Sequence, residues 1–225
     1  MAESGLLCCA VAMTFELDHF FILTEPGAPH ADLLSGIGLT EGARNDHPGQ
    51  GTANRRFFFS NTALELLYVR DASEAASGRG SRLRFVERAA DGKASPFGLI
   101  VRASTESTDV PFPGWRYCPE YFRVDQCFHV GENSDRLEEP LCICMPLNMP
   151  LPEAQLRLAN PQMTVTELRI SIPAVRPSLT LQAIADFERI SLRLNEPHRM
   201  EIVFNEEVEG KSKDMRPALP LVVRW

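Results

Sequence analysis

Glu65 stands in the segment LELLYV, where Ala63 and Leu67 share its side of an extended chain and Leu64 and Leu66 occupy the other. A carboxylate so placed is buried, and an unpaired buried charge costs several kcal/mol even after relaxation. Glu65 is therefore expected to be bound to a metal, hydrogen-bonded, paired with a cation, or neutral with a raised pKa. His19, in LDHFFIL, has the same character, with Leu17 and Phe21 flanking it on its own face. If the sheet curls so that the two strands meet across a concave face, an imidazole and a carboxylate share one space, which is the donor chemistry of a divalent metal site. Two blander readings stand beside it: a lone buried His satisfied within the core, and a strand Glu paired with an Arg of a neighbouring strand.

A third candidate is His47, which opens the loop HPGQGTAN, where Gly49 and Gly51 would let backbone N–H groups approach a ligand oxygen. The same loop also reads as a tight turn before a strand. It is not a dinucleotide fingerprint, because no strand followed by a GxGxxG helix start is present. No GxSxG elbow occurs, and no Cys lies in a recognisable nucleophile context. The aromatic cluster Phe112, Trp115, Tyr117 and Tyr121 has little basic interleaving and reads as a packed lid or core edge, not a stacking platform.

The elements that must position these residues follow from pattern. Residues 15–23 are strand-like and end at a Thr-Glu-Pro-Gly turn. A short helix over residues 30–35 is closed by Gly36 and Gly38, and a short strand is expected around residues 39–43. RRFFFS and ALELLYV are two further strands. Residues 71–80 read as a loop and 82–90 as a surface helix. PFGLIVR reads as a buried strand, and strand character returns at 127–130 and 141–145 after a Pro-rich stretch. From Met163 the order is again strand (TVTELRISI), helix (178–187) and three strands (ISLRLN, RMEIVFN, PLVVRW). Setting the two starts side by side puts His19 opposite Glu167, and a period this long signals duplicated modules, not a solenoid. The expected organisation is an unpacked extension over residues 1–12, a first βαβββ module over 13–71, a central segment with helix and strands over 72–162, and a closing βαβββ-like module over 163–225.

Composition bounds the function. The 225 residues are 44% hydrophobic and 24% charged, enough apolar material for a real core. A formal charge of −7 with no dense Lys/Arg stripe argues against nucleic acid or an anionic membrane as partner. The six cysteines show no CxxC spacing and read as reduced cytosolic thiols, which suggests a cytoplasmic protein. The apolar run over residues 6–13 is too short to span a membrane and lacks a basic start, so it reads as neither anchor nor signal.

LDHFFIL, HPGQGTANRRFFF and LELLYV together resemble the first module of the glyoxalase, bleomycin-resistance and extradiol-dioxygenase superfamily, also called vicinal oxygen chelate, and its glyoxalase-like branch with an HxGxGTxN segment. The likeness covers residues 14–70 well and the closing block more weakly. It implies an α+β fold of repeated βαβββ modules, with curled mixed sheets around a cleft and an inserted central segment. It further implies that His19 and Glu65 fall on metal-ligand positions, that Glu167 falls on the matching first-strand position of a second module, and that the ion is divalent (Zn, Ni, Mn or Fe).

Glu65 would then serve as ligand or catalytic base, and His47 and Asn54 as substrate contacts, in metal-assisted lyase, isomerase or dioxygenase chemistry. The second half departs from the pattern, since PLVVRW offers Leu221 or Val222 where a carboxylate is expected, and Glu201 lies one strand too early. If the central block pairs with the first module instead, Gly98 or Leu99 stands at the ligand position and no ligand is offered. The competing expectation is a metal-free protein that binds or sequesters a small molecule, as bleomycin-resistance proteins do. A homodimer is left open.

Overall fold

The computed structural model describes residues 15–104, 109–149 and 159–225. The expected extension over residues 1–12 lies outside the described residues. Among the described residues, thirteen strands and four short helices form an α+β structure of two mixed sheets. The first block follows the expected order: β1 (Phe15–Thr24), α1 (Ala31–Gly36), β2 (Asn45–His47), β3 (Thr52–Phe58) and β4 (Ala63–Val69). The strand expected at 39–43 is absent and β2 takes its place over Asn45–His47, paired to β3 through Asn45, Asp46 and His47.

The expected loop after β4 contains α2 (Ala72–Ser77), which starts there because the Asp71 side chain accepts from Glu74 N at 2.9 Å. The expected helix over 82–90 breaks at Arg84, whose φ of 61° ends a single 3-10 turn before α3 (Phe85–Ala90). Next come β5 (Phe97–Ala103), β6 (Gly114–Tyr117), β7 (Phe128–Gly131) and β8 (Leu141–Cys144). The closing block holds β9 (Val165–Ile172), α4 (Leu179–Ala185), β10 (Ile190–Leu194), β11 (Arg199–Phe204), β12 (Ser212–Asp214) and β13 (Leu221–Arg224).

The first eight strands make one sheet in the order β2-β3-β4-β1-β5-β8-β7-β6. Its centre is the antiparallel pair β1 and β5, each flanked by a parallel neighbour, β4 and β8. β1 therefore pairs with the central block and not with the closing block. Were eight strands at about 4.8 Å spacing laid flat, the edges would stand roughly 34 Å apart. Yet Tyr117 of β6 donates to Gln50, just past β2, at 3.1 Å. The sheet is curled into a nearly closed cup.

A bulge in β1 sets which side chains face inward, because Leu17 pairs with Val101 and His19 with Ile100, leaving Asp18 unpaired. Leu17 consequently lies on the outer face with Phe20 and Ile22, while His19, Phe21 and Leu23 face the cup. This corrects the expectation that Leu17 and His19 share a face. The closing strands form a separate sheet, β10-β9-β11-β13-β12, packed on the outer face of the cup. One cluster of buried residues runs through both, and the rings of Phe59 and Phe204 meet edge-on at 4.7 Å. Among the described residues no helix is long and apolar enough to cross a membrane.

Candidate functional site

The concave face of the cup holds an open cleft of about 230 Å³. β1 supplies His19 and Phe21, β2 supplies Asn45 and His47, β3 supplies Arg56, and β4 supplies Glu65 and Leu67. The opposite wall is apolar: Leu83, Phe85, Ile100, Phe122, Phe128, Ile143 and Met145. His19, His47 and Glu65 thus line one cavity. Glu65 lies in register between Phe21 on β1 and Arg56 on β3. Phe21 can lie there because Gly98 opposite has no side chain; a Cβ at that position would overlap the ring.

Each imidazole is fixed by one bond. His19 Nδ1 meets Asp18 Oδ1 at 2.5 Å, and Asp18 is also ion-paired to Arg102. Asp18 is therefore an acceptor, so Nδ1 of His19 carries the hydrogen and Nε2 is a bare lone pair. His47 Nδ1 lies 2.9 Å from the Thr52 hydroxyl, which accepts from Gln50 Nε2 at 2.8 Å. Gln50 Oε1 in turn accepts from Tyr117 and Tyr121 at 3.1 and 3.0 Å, which fixes the orientation of the amide. The fully buried Thr52 proton then has only His47 Nδ1 to bond, leaving the His47 hydrogen on Nε2.

Burial lowers the pKa of His19 and of His47; Glu65 pulls both back up, and Arg56 adds to the lowering. Both imidazoles are neutral near pH 7. Burial likewise raises the Tyr117 and Tyr121 hydroxyls, keeping them protonated donors. The half-buried Glu65 carboxylate receives no hydrogen bond or ion pair from any described residue. Its cross-strand neighbour Arg56 is committed elsewhere, with Nε donating to Ala43 O at 2.7 Å and the guanidinium over the Phe58 ring at 4.9 Å.

The remaining expected residues are placed differently. Asn54 is buried beside the cleft, its Oδ1 accepting from Asn45 N at 3.0 Å, and does not line the cavity. Glu167 sits on β9 of the other sheet, where it binds Arg169 at 2.7 Å and accepts from Ser191 at 2.8 Å. It cannot join His19 and Glu65 on one ion. Glu201, on β11, is surrounded by Arg169, Arg193, Arg199 and Arg224. Gly49 spends its N–H on Glu74 Oε1 at 2.7 Å, and Gly51, at φ +73°, is pressed against Asp71 and Ala75, so the glycines seat the loop on α2 instead of cradling a ligand.

Two of the thiols are also not as expected: Cys118 and Cys127 form a disulfide with an S–S distance of 2.01 Å. Cys142 and Cys144 are free and buried, and Cys8 and Cys9 lie outside the described residues. The disulfide closes the segment carrying Tyr121 and Phe122, which form part of the cleft wall. Gln50, Arg56, Tyr121, Phe122 and Phe128 are the site residues that spacing alone does not reveal, since only the curl of the sheet brings them together.

The donor set does not fit a bound metal. Among the described residues no group of three His, Cys, Asp or Glu side chains could hold an ion. The reason is visible in the cup: β5 and β8, which occupy the positions matching β1 and β4, turn Gly98, Ile100 and Ile143 inward. A larger groove of about 900 Å³ lies outside the cup near α3 and Pro197. In its wall the terminal nitrogens of Arg88 donate to the carbonyls of Ser95, Ser134, Leu137 and Glu139.

No family model and no curated protein matches the sequence. Among solved structures, a hypothetical protein from Staphylococcus aureus superposes with a TM-score of 0.60 at 11% identity, over 93% of this chain and 99% of that one. That likeness is one of fold. Hypothetical protein BH1468 from Bacillus halodurans C-125 matches at 13% identity over 62% of this chain and 99% of its own, with a TM-score of 0.36. A mutant 4-hydroxymandelate synthase from Streptomyces coelicolor matches at 9% identity over 94% of this chain and 62% of its own, with a TM-score of 0.45. The curled mixed sheets are compatible with the vicinal-oxygen-chelate superfamily.

Proposed function

We propose that this protein binds a small molecule in the cup without a metal ion, as a binding or sequestering protein built on the glyoxalase-like plan. The observation that carries the reading is the composition of one cleft: a carboxylate without a partner among the described residues and two oriented imidazoles at one pole, and an aromatic and aliphatic wall at the other. Clefts that are mostly apolar with a few placed polar groups are what small-molecule sites look like, and 230 Å³ lies below the roughly 300–1,000 Å³ of sites for drug-sized ligands. The occupant is accordingly compact. Ile100, Ile143 and Met145 remove the second half of a ligand set, which weighs against metal-assisted lyase, isomerase or dioxygenase chemistry and in favour of simple binding.

Thermal unfolding of the intact protein tests this directly. With a chelator present, compact aromatic molecules should raise the Tm in proportion to ligand concentration, because a ligand that binds only the folded state stabilises it by mass action. Zn, Ni, Mn or Fe(II) added alone should leave the Tm unchanged. If one of those metals raises it by several degrees and Glu65→Gln abolishes the rise, the metal-dependent reading is right and this one is wrong.

A further inference from the structure

Resting on that reading of the cup, we infer that its ligand carries a protonated amino group, held by the Glu65 carboxylate and His19 Nε2 and surrounded by aromatic faces. The acceptor and donor inventory leads there. Glu65 offers two oxygens to which no described residue donates, and His19, tied through Nδ1–H to Asp18, offers a second acceptor. The tyrosine hydroxyls are spent on Gln50 Oε1, and the Gln50 amide nitrogen donates to the Thr52 hydroxyl. His47 Nε2–H is the one imidazole donor left over.

Arg56 and Asn45 bring donors to the same cavity, but on the patch formed by Glu65 and His19 Nε2 the open groups are acceptors, and they select a guest that donates there, because an acceptor would leave both sides unpaired. An ammonium has three donors and no acceptor. The aromatic wall agrees, since a cation near ring faces gains about 0.5–2 kcal/mol. Phe21 and Phe85 meet edge-on at 6.0 Å, Phe122 and Phe128 lie 4.7 Å apart, and Tyr121 leans on Phe122 at 5.1 Å. Arg56 is the competing charge. Its guanidinium is anchored to Ala43 and stacked over Phe58, outside ion-pair distance of Glu65, so the carboxylate is left for the guest.

Calorimetric titration of the full chain with three matched probes decides the matter: 2-phenylethylamine, 2-phenylethanol and 3-phenylpropionate share a ring and differ in the charge at the far end. The amine should bind at least tenfold more tightly than the alcohol, and the carboxylate weakest. Glu65→Gln should reduce amine affinity at least tenfold and leave the alcohol within threefold, with an unchanged melting curve. Arg56→Gln should raise amine affinity. If the alcohol or the carboxylate binds as well as the amine, or if Glu65→Gln does not weaken the amine, the charge inference falls while the cleft reading stands. If none of the three binds, the reading of the cup as a small-molecule site falls with it.

Discussion

At the scale of single residues, the titrating groups make the folded state acid-sensitive in two stages. Burial lowers His19, His47 and His198 below 6.5, so below that pH the unfolded chain binds protons at these positions that the folded protein refuses. Their contribution to stability is complete above pH 6.5 and declines as pH falls toward the folded values. Glu41 and Glu167 follow at lower pH. The hydrogen bond from Arg55 lowers the first and that from Arg169 the second, so their share is present above 4.5 and lost as pH falls through the folded values. Urea unfolding at pH 8, 6.5, 5.5 and 4 should show constant stability over the first interval, a decline over the second and a steeper one over the third. A maximum near pH 5.5 would mean that the histidines are charged in the folded protein. The sequence exposes these residues unevenly: Glu65 and His19 announce themselves as polar letters on apolar faces, whereas Asp18 does not. Its place follows from the bulge, and no local pattern separates the bulge from a regular strand.

At the scale of elements, strands were more legible than their connections. β1, β3 and β4 stand where alternating and apolar runs place them. The partner of β1 is hidden because the described residues of the central block show no helix between β5 and β6, so the strand–helix–three-strand order of the closing block looks like the better match. Hydrogen bonding goes to the strand that follows, β5, and Glu167 loses its place in the site.

The disulfide was equally hidden, as Cys118 and Cys127 are nine residues apart and adjacent only because β6 and β7 form a hairpin. It ties the base of the segment bearing Tyr121 and Phe122. Cross-links closing a segment of this order stabilise by roughly 2–3 kcal/mol, chiefly by restricting the unfolded chain. The Cys118→Ser, Cys127→Ser double variant should unfold with that loss in stability while remaining cooperative. It should also bind 2-phenylethylamine several-fold more weakly, because Tyr121 and Phe122 lose their anchor. Unchanged affinity would show that the Tyr121–Gln50 bond holds the wall without help.

At the scale of the whole molecule, the question is why the cup needs a second sheet at all. Its concave face is filled by the apolar wall of the cleft, yet its convex face is equally apolar: Phe20, Ile22, Phe57, Leu64, Leu66, Phe97 and Leu99 are all completely buried, and the closing sheet helps cover them with Leu168, Ile170, Ile202 and Phe204. A sheet apolar on both faces requires a cover on each. Polar fasteners mark the same junction. Glu139, itself fully buried, accepts from Ser178 N and Oγ at 2.8 and 2.6 Å and so holds the start of α4. Asn160 joins Thr40 to Phe58 O.

Burial of a large apolar side chain contributes about 1.5–3 kcal/mol, so uncovering seven of them would remove roughly 10–21 kcal/mol, comparable to or above a domain's usual net stability of about 5–15 kcal/mol. A fragment ending at residue 149 should therefore be insoluble, or else compact with strong binding of a hydrophobic dye and no sharp thermal transition. The same fragment should lose the amine affinity of the full chain, although every cleft-lining residue is retained in it. Cooperative unfolding of that fragment with its ligand affinity intact would show that the cup is self-sufficient and that the closing sheet serves another purpose.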